Sequence, residues 1–534
     1  ITQVDRHITI MEGGQINSRP STFELTGPAD SDTLNSSIEP LTFNWTTATD
    51  SDNDPLTYSL HLSGTDLWTS ATFDTSITNI SSASYTFSTG GLPGNHQWRW
   101  SADVTDGKEI TAAMDFRTVT IDPFGAIFQV STNAPGGAGT ASQGLSFADF
   151  DNDGDADVYI VNAPDAANAL FENDGSGNFS AVAAGPAITD AATSFSAAWG
   201  HFDGDEFIDL FVTNLNQQNN NLYRNLGNGQ FESLTLEPAA NDGGNSFGAA
   251  WVDYNNDNQV DLHVVNDSQN PAFLYRNTGT GLEKITTGGI VTDNAYSLSS
   301  AWSDYDNDGD MDIFLPNTSP NYLYENNGDG TFTRITSGDV VSGFASSRAA
   351  AWGDYDNDGD MDLFVANSGI DYFYDNNGDG TFTRIFDGPL VSSNENSRGA
   401  LWGDFNNDGF LDLFVLYQSS AGFFLNDGQR DFVEITALNS SGFSAAQGMA
   451  SADIDQDGRL DVIISDASEA APNYLLKNSV PSGNWLRLSL TGRPANQSAI
   501  GAKVRIKTSQ SNGDWQLREI SWQSSMASQN EAVL

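Results

Sequence analysis

The chain has 534 residues, 71 of them Asp or Glu against 21 Lys or Arg, which gives a formal charge of −50, and it contains no cysteine. A surface that negative repels nucleic acid and anionic lipid, which sets polyanion-binding roles aside. The missing cysteines exclude a disulfide framework, a thiolate metal site and a thiol nucleophile. No apolar run approaches the roughly 18 residues that would span a bilayer. The length predicts two to four domains. The chain opens on Ile rather than Met, as a processed N-terminus would, or a piece of a longer chain.

Residues 1–20 read as a polar extension with one strand-like run, His7 to Met11, followed by Gly13 and Gly14. Over 21–122 short alternating segments at 22–25, 41–45, 56–62, 84–87, 96–104 and 114–121 are separated by turn-rich stretches, a spacing that predicts a β-sandwich. This segment resembles the bacterial fibronectin type III or Ig-like modules, with Trp45 as the expected core aromatic. Its acidic loop, Asp50, Asp52 and Asp54, reads as a solvated turn, with an interdomain calcium site as the alternative.

An internal repeat dominates the remainder, 123–480. Its clearest copy, residues 351–365, reads AWGDYDNDGDMDLFV. Oxygen donors at loop positions 1, 3 and 5, a main-chain carbonyl at 7 and a carboxylate at 9 suit a hard cation that takes six to eight oxygens, and Gly at 6 permits the sharp turn. Apolar runs of strand character flank the loop. Position 1 recurs at Asp149, His201, Asp253, Asp304, Asp354, Asp404 and Asp453, seven copies about 50 residues apart. An aromatic stands two residues earlier in six of them: Phe147, Trp199, Trp251, Trp302, Trp352 and Trp402. Asn162, Asn214, Asn266, Asn317 and Asn367 follow the next strand as turn starters. Third and fourth strands joined by a Gly-rich hairpin complete each unit, so the prediction is a four-stranded blade repeated radially. Residues 127–132 match the fourth-strand pattern that the seventh copy lacks, so they are expected to complete that blade and close the ring without an open edge.

This repeat resembles the FG-GAP/VCBS repeat, the calcium-bearing propeller repeat also found in integrin alpha chains. The expected fold is all-β: a seven-bladed β-propeller flanked by the N-terminal sandwich and a small C-terminal β-domain. Expected Ca2+ ligands are Asp149, Asp151, Asp153 and Asp157; Asp203, Asp205 and Asp209; Asp253, Asn255, Asp257 and Asp261; Asp304, Asp306, Asp308 and Asp312; Asp354, Asp356, Asp358 and Asp362; Asp404, Asn406, Asp408 and Asp412; and Asp453, Asp455, Asp457 and Asp461. Main-chain carbonyls of Asp155, Gln259, Asp310, Asp360, Phe410 and Arg459 complete six of the sets. Up to seven ions are expected, one per blade. Blade two is the exception, because His201 is a poor partner for a hard cation and Glu206 stands where Gly should. Two carboxylates about 5 Å apart at an effective dielectric near 20 repel by roughly 3 kcal/mol. Loops holding four of them are therefore expected to need the ion for their shape.

Residues 481–534 carry NWLRLSLTG at 484–492, AIGAKVRI at 499–506 and SQNE at 528–531, and resemble part of the ASPIC/UnbV domain that follows such propellers. The resemblance implies further strands beyond Leu534, and hence either a longer molecule or an exposed edge. The run at 7–11 is the expected donor for such an edge, which would make head-to-tail polymers.

The histidines His7, His61, His96, His201 and His263 sit in no metal or nucleophile signature, so no catalytic constellation is expected. Four residues before the aromatic position stand Gln143, Phe195, Phe247, Leu298, Arg348, Arg398 and Gln447. These are expected near one ring face, where Arg348 and Arg398 either hold an acidic group of a glycan or peptide or pair with a nearby Asp. The leading expectation is a secreted, calcium-stabilised cell-surface adhesion or scaffold protein with a protein or glycan ligand. A lectin-like binder and, on fold analogy alone, a polysaccharide-degrading enzyme are the alternatives.

Overall fold

A computed structural model describes residues 18–29, 32–34, 41–66, 72–87, 96–113, 116–121, 128–131, 133–136, 141–164, 166–227, 229–267, 271–293, 296–318, 320–435, 445–468, 471–480, 485–492, 496, 499–507, 515–520 and 528–530. The chain forms two compact units that divide at Ile127/Phe128. The expected donor strand at 7–11 lies outside the described residues.

In the first unit, strands Leu25–Gly27, Leu41–Trp45 and Ser84–Phe87 form one sheet, and Thr57–Asp66, Thr72–Ile80, His96–Thr105 and Arg117–Ile121 belong to a second. The alternation read from the sequence sends Phe43 and Trp45 from one sheet and Leu60, Leu62, Trp98 and Trp100 from the other into a shared core. The acidic loop is a turn. Asp50 Oδ1 accepts from the Asp52 and Asp54 amides at 2.8 and 3.2 Å, and Asp54 pairs with Lys108 at 2.8 Å.

In the second unit the described residues form seven four-stranded antiparallel sheets at the predicted period. Six are consecutive in sequence. The seventh joins Phe128–Ser131 to Tyr474–Asn478, with Phe128 opposite Asn478, so the ring closes with the chain's own upstream strand, as the repeat pattern predicts. The fold is an all-β propeller. Inner strands such as Ser347–Gly353 and their neighbours such as Asp362–Asn367 are buried almost throughout, which accounts for their apolar rather than alternating sequence. The periodic aromatics wedge between blades: Trp251, Trp352 and Trp402 donate Nε1–H to Ala198, Ala301 and Ala351 carbonyls of the preceding inner strand at 3.2–3.3 Å. Gly200 and Gly353 make room for them, since a Cβ there would come within 2.4 and 2.8 Å of the next blade's indole.

One tie between blades recurs all the way round. The last residue of each third strand is a buried Asn: Asn173, Asn225, Asn277, Asn326, Asn376, Asn426 and Asn478. Its Nδ2 donates to the carbonyl at loop position 2 of the preceding blade (Ile454, Phe150, Phe202, Tyr254, Tyr305, Tyr355 and Phe405, respectively) at 2.6–2.8 Å. Its main-chain N–H donates to the position 9 Asp of its own blade at 2.6–2.9 Å. In blade five Asn376 Nδ2 donates to the Met361 carbonyl as well as to that of Tyr305, so removing the amide leaves two buried carbonyls without a donor, each costing about 1–3 kcal/mol. Asn376→Ala is therefore expected to lower propeller stability by about 2–4 kcal/mol in a denaturant titration. Asn377→Ala, on the exposed hairpin next to it, should change it by less than about 0.5 kcal/mol.

Candidate metal centres in the blade loops

Six of the seven loops begin with an aspartate that organises the turn. Asp354 Oδ1 accepts from the Asp358 amide at 3.0 Å and Oδ2 from Gly359 at 3.2 Å. Asp149, Asp253, Asp404 and Asp453 make the corresponding pair. The bend needs left-handed backbone at position 4, supplied by Asn152, Asn256, Asn307, Asn357, Asn407 and Gln456 (φ 56–61°). Position 6 has φ 81–99° at Gly154, Gly309, Gly359, Gly409 and Gly458, and Asn258 takes φ 65° in blade three.

Four blades gather three carboxylates whose ligand atoms lie within 4.8 Å of one another: Asp149, Asp151 and Asp157; Asp304, Asp306 and Asp308; Asp354, Asp356 and Asp362; Asp453, Asp455 and Asp457. These are the four repeats with Asp at every side-chain position. In blades three and six the amides of Asn255 and Asn406 turn a nitrogen onto Asp261 and Asp408, at 3.0 and 2.8 Å. Several buried carboxylate oxygens have no donor, among them Asp151 Oδ1, Asp155 Oδ1, Asp304 Oδ1, Asp455 Oδ1 and Asp461 Oδ2. Unpaired buried anionic oxygens packed this closely are the donor set of a hard divalent cation, so the residues fit one. The side chains at positions 1, 3, 5 and 9 would hold it, with the position 7 carbonyl. Its charge would supply the neutralisation that the protein lacks there.

Position 9 is the deepest carboxylate. Burial pushes Asp157, Asp209, Asp261 and Asp461 up to about 8 and Asp312 to about 9, and Asp362 and Asp412 rise well above the usual range for the same reason. Burial likewise raises Asp354 to about 7 and Asp253 and Asp404 to about 6.

Blade two is built differently. His201 is largely buried, which holds it down at about 4 and hence neutral. The blade's own Arg224 places Nε 2.8 Å from Asp203 Oδ2, so a fixed cation occupies the carboxylate side of this loop. The sequence carries a signal for this, since Arg224 directly precedes the tie residue Asn225, at a place where Glu172, Glu325 and Asp375 stand in blades one, four and five. Other loop carboxylates also have cations, from the same blade in the case of Lys477 and from elsewhere in the chain for Arg430 and Lys503. Arg430, on the hairpin of blade six, lies 2.6 and 3.2 Å from Asp356 and Asp358 of blade five. Lys503 is 2.9 Å from Asp304, and Lys477 is 3.1 Å from Asp455.

The loops are also linked to one another. Asn152 Nδ2 donates to the Glu206 carbonyl, Asn307 to Asp360 Oδ1, Asn357 to the Gly409 carbonyl, Asn407 to the Gly458 carbonyl and Gln456 to the Gly154 carbonyl, at 2.7–3.2 Å. Asn256 reaches Asp310 in the same way. Position 4 of blade two is Gly204, which has no side chain to continue the series.

C-terminal residues cover this loop face. Strands Lys503–Lys507 and Trp515–Glu519 pair antiparallel, and buried Glu519 accepts from Ser303 Oγ at 2.6 Å and from the Asp304 amide at 3.2 Å. Half-buried Arg518 lies among Asp404, Asp354, Asp412 and Asp408; burial lowers its pKa, and those carboxylates oppose the shift. Gln529 then pairs in parallel with Ser146 of the innermost strand of blade one. Its side chain accepts from the Trp199 amide at 2.7 Å, and Asn530 accepts from the Ser451 amide at 3.0 Å. Two consecutive residues therefore touch blades one, two and seven, where their inner strands converge.

The fold and its loops define a propeller whose blades each carry an acidic turn at one end of the inner strand. A family model described as FG-GAP-like repeat matches residues 149–212, 201–264, 253–315, 304–365, 354–415 and 404–464. Together these matches span more than half of the 534 residues, and the chain belongs to the FG-GAP-like repeat family. No curated protein matches it. Similar solved structures include an Agrocybe aegerita lectin that recognises non-reducing terminal N-acetylglucosamine, at 17% identity and TM-score 0.42, covering 77% of this chain and 96% of that one. BBS1N, solved in complex with ARL6DN, is 12% identical at TM-score 0.44, covering 68% and 99%. A Lactobacillus plantarum protein is 13% identical at TM-score 0.38, covering 71% and 95%. No helix among the described residues is long and apolar enough to cross a membrane.

The raised position 9 carboxyls set the sign of a pH dependence. Each holds its proton more tightly folded than unfolded, so its contribution is complete below the unfolded value near 4 and is lost as pH rises through about 8. In chelator, the melting temperature is expected to fall between pH 5 and pH 8. A saturating divalent cation, which favours the ionised form, should remove that slope.

Proposed function

We propose that the chain is a secreted, calcium-stabilised propeller that serves as a binding platform, of adhesion or scaffold type, at a cell surface or in a matrix. The observation that carries the calcium reading is the set of buried, donorless carboxylate oxygens in blades one, four and seven. A hairpin cannot offset their mutual repulsion, whereas a divalent ion can. Blades one, four, five and seven are the full sites, blades three and six use one amide ligand each, and blade two relies on Arg224. Extracellular free calcium in the range of about 10⁻³ M would fill modules of modest affinity, which fits ion loops used for shape rather than for signalling. The absence of cysteine agrees with a molecule that relies on burial and bound ions instead of disulfides. Residues 481–534 serve in this reading as a partial ASPIC/UnbV-like cap on the loop face, and 21–122 as a fibronectin-like spacer.

Chelation in low-salt buffer is expected to lower the melting temperature by several degrees, with full recovery on adding calcium. Asp362→Asn should shrink the calcium-dependent part, and Asp203→Asn should leave it unchanged. A melting temperature indifferent to both chelator and calcium overturns the reading.

A further inference from the structure

The end of the ring opposite the ion loops carries a second set of charged groups. Arg348 and Arg398 occupy the same register position on the adjacent inner strands Ser347–Gly353 and Ser397–Gly403. In a protein of charge −50, Arg224, Arg276, Arg334, Arg430 and Arg459 each lie within 4 Å of a carboxylate. Among the described residues, Arg348 and Arg398 have no such partner. Arg348 Nη1 and Arg398 Nε are buried and without an acceptor. Beside them on the next inner strand, Gln447 Oε1 is buried without a donor. Two donors and one acceptor thus stand unused side by side, at a depth where leaving each unmade is costly.

The remaining positions of this register are of another kind. Phe195 and Phe247 meet edge to face at 4.6 Å, and Phe195 packs in one cluster with Leu298, with Ala349, which follows Arg348, and with Ala400, two residues after Arg398. The group that satisfies this end of the ring must therefore be an anion for two guanidinium forks, bear a hydrogen-bond donor close to that anion, and offer an apolar face. A carboxylate matches a guanidinium in plane and bidentately, which a spherical ion does not.

We propose that this end of the axis is a binding site for a hydroxy-carboxylate, the uronic acid of an acidic saccharide, with Arg348 and Arg398 on the carboxylate, Gln447 on the neighbouring hydroxyl and the Phe195 side against the sugar ring. The proposal rests on the reading of the propeller as a binding platform and names the ligand class. Burial, and the charge of Arg348 beside it, hold Arg398 down at about 10, the direction expected of two cations kept together without an anion.

The test is calorimetry on the full chain in millimolar calcium, titrating D-galacturonate, methyl galactoside, inorganic phosphate and a dipeptide with a free carboxylate. Galacturonate is expected to bind one to one, at least tenfold tighter than the other three, and to lose at least tenfold in affinity in Arg348→Gln and in Arg398→Gln. Equal binding of methyl galactoside overturns the role of the carboxylate. Preference for phosphate or for the dipeptide overturns the saccharide assignment, and no binding by galacturonate overturns the site. If the variants fail to fold, the four ligands compared on the unaltered chain decide alone. Because calcium-dependent melting is read separately, loss of this site would leave the calcium reading standing, and the reverse also holds.

Discussion

The arrangement depends on one amide. At the end of each third strand an Asn side chain crosses to the preceding blade and donates to the carbonyl directly after the first ion-loop residue, while its main chain holds the position 9 Asp of its own loop. Every loop is thereby fixed from two sides, by its own blade and by the next. The tie works because it is buried and fully used; a solvated amide in the same place would contribute little. It also means that blade packing and loop shape cannot vary independently. Whatever fills a loop acts on the interface between blades.

The scarce cations are distributed accordingly. With 21 basic residues against 71 acidic, several that could have served solubility are placed on loop carboxylates instead: Arg224 within blade two, Arg430 across a blade boundary, Lys503 from the C-terminal strands. They reduce repulsion in the divergent loop of blade two and in the carboxylate clusters of blades four and five alike. Blade two shows the limit of this, since a neutral His201 and an internal arginine make a loop that does not call for a metal. Its position 4 is Gly204, which has no side chain with which to continue the loop-to-loop series. The two ends of the ring differ in consequence, with carboxylates and the C-terminal residues at one and, at the other, Arg348 and Arg398, which have no carboxylate partner among the described residues.

Much of this was legible in the chain. A 50-residue period, the aromatic two positions before each loop and the stray fourth strand at 128–131 were enough for seven closed blades, because each is a local pattern repeated many times. The clustering of loop carboxylates was legible for the same reason, since alternate Asp residues around a left-handed turn converge wherever that turn forms. Asn376 and its six equivalents recur in the sequence at the same spacing, but an Asn before a Gly-rich hairpin reads first as turn chemistry, and its reach to the preceding blade shows only in the folded ring. Arg224 was hidden by its setting, because the residue before the tie Asn follows no single pattern: Glu172, Glu325 and Asp375 in three blades, Leu425 in one, and a base again at Arg276 and Lys477.

What the sequence determined by itself is therefore the ring, its closure and the chemistry of the seven loops, all encoded within units of about 50 residues. Tertiary structure alone decided which cations reach which loops, that Gln529 lies against the inner strands of blades one and two, and that Arg348 and Arg398 have no acidic partner among the described residues. Those outcomes join residues from different blades and, for Gln529 and Trp199, 330 positions apart in sequence. No local pattern carries information about such a pairing; it exists only once the ring has closed and brought the inner strands to one axis.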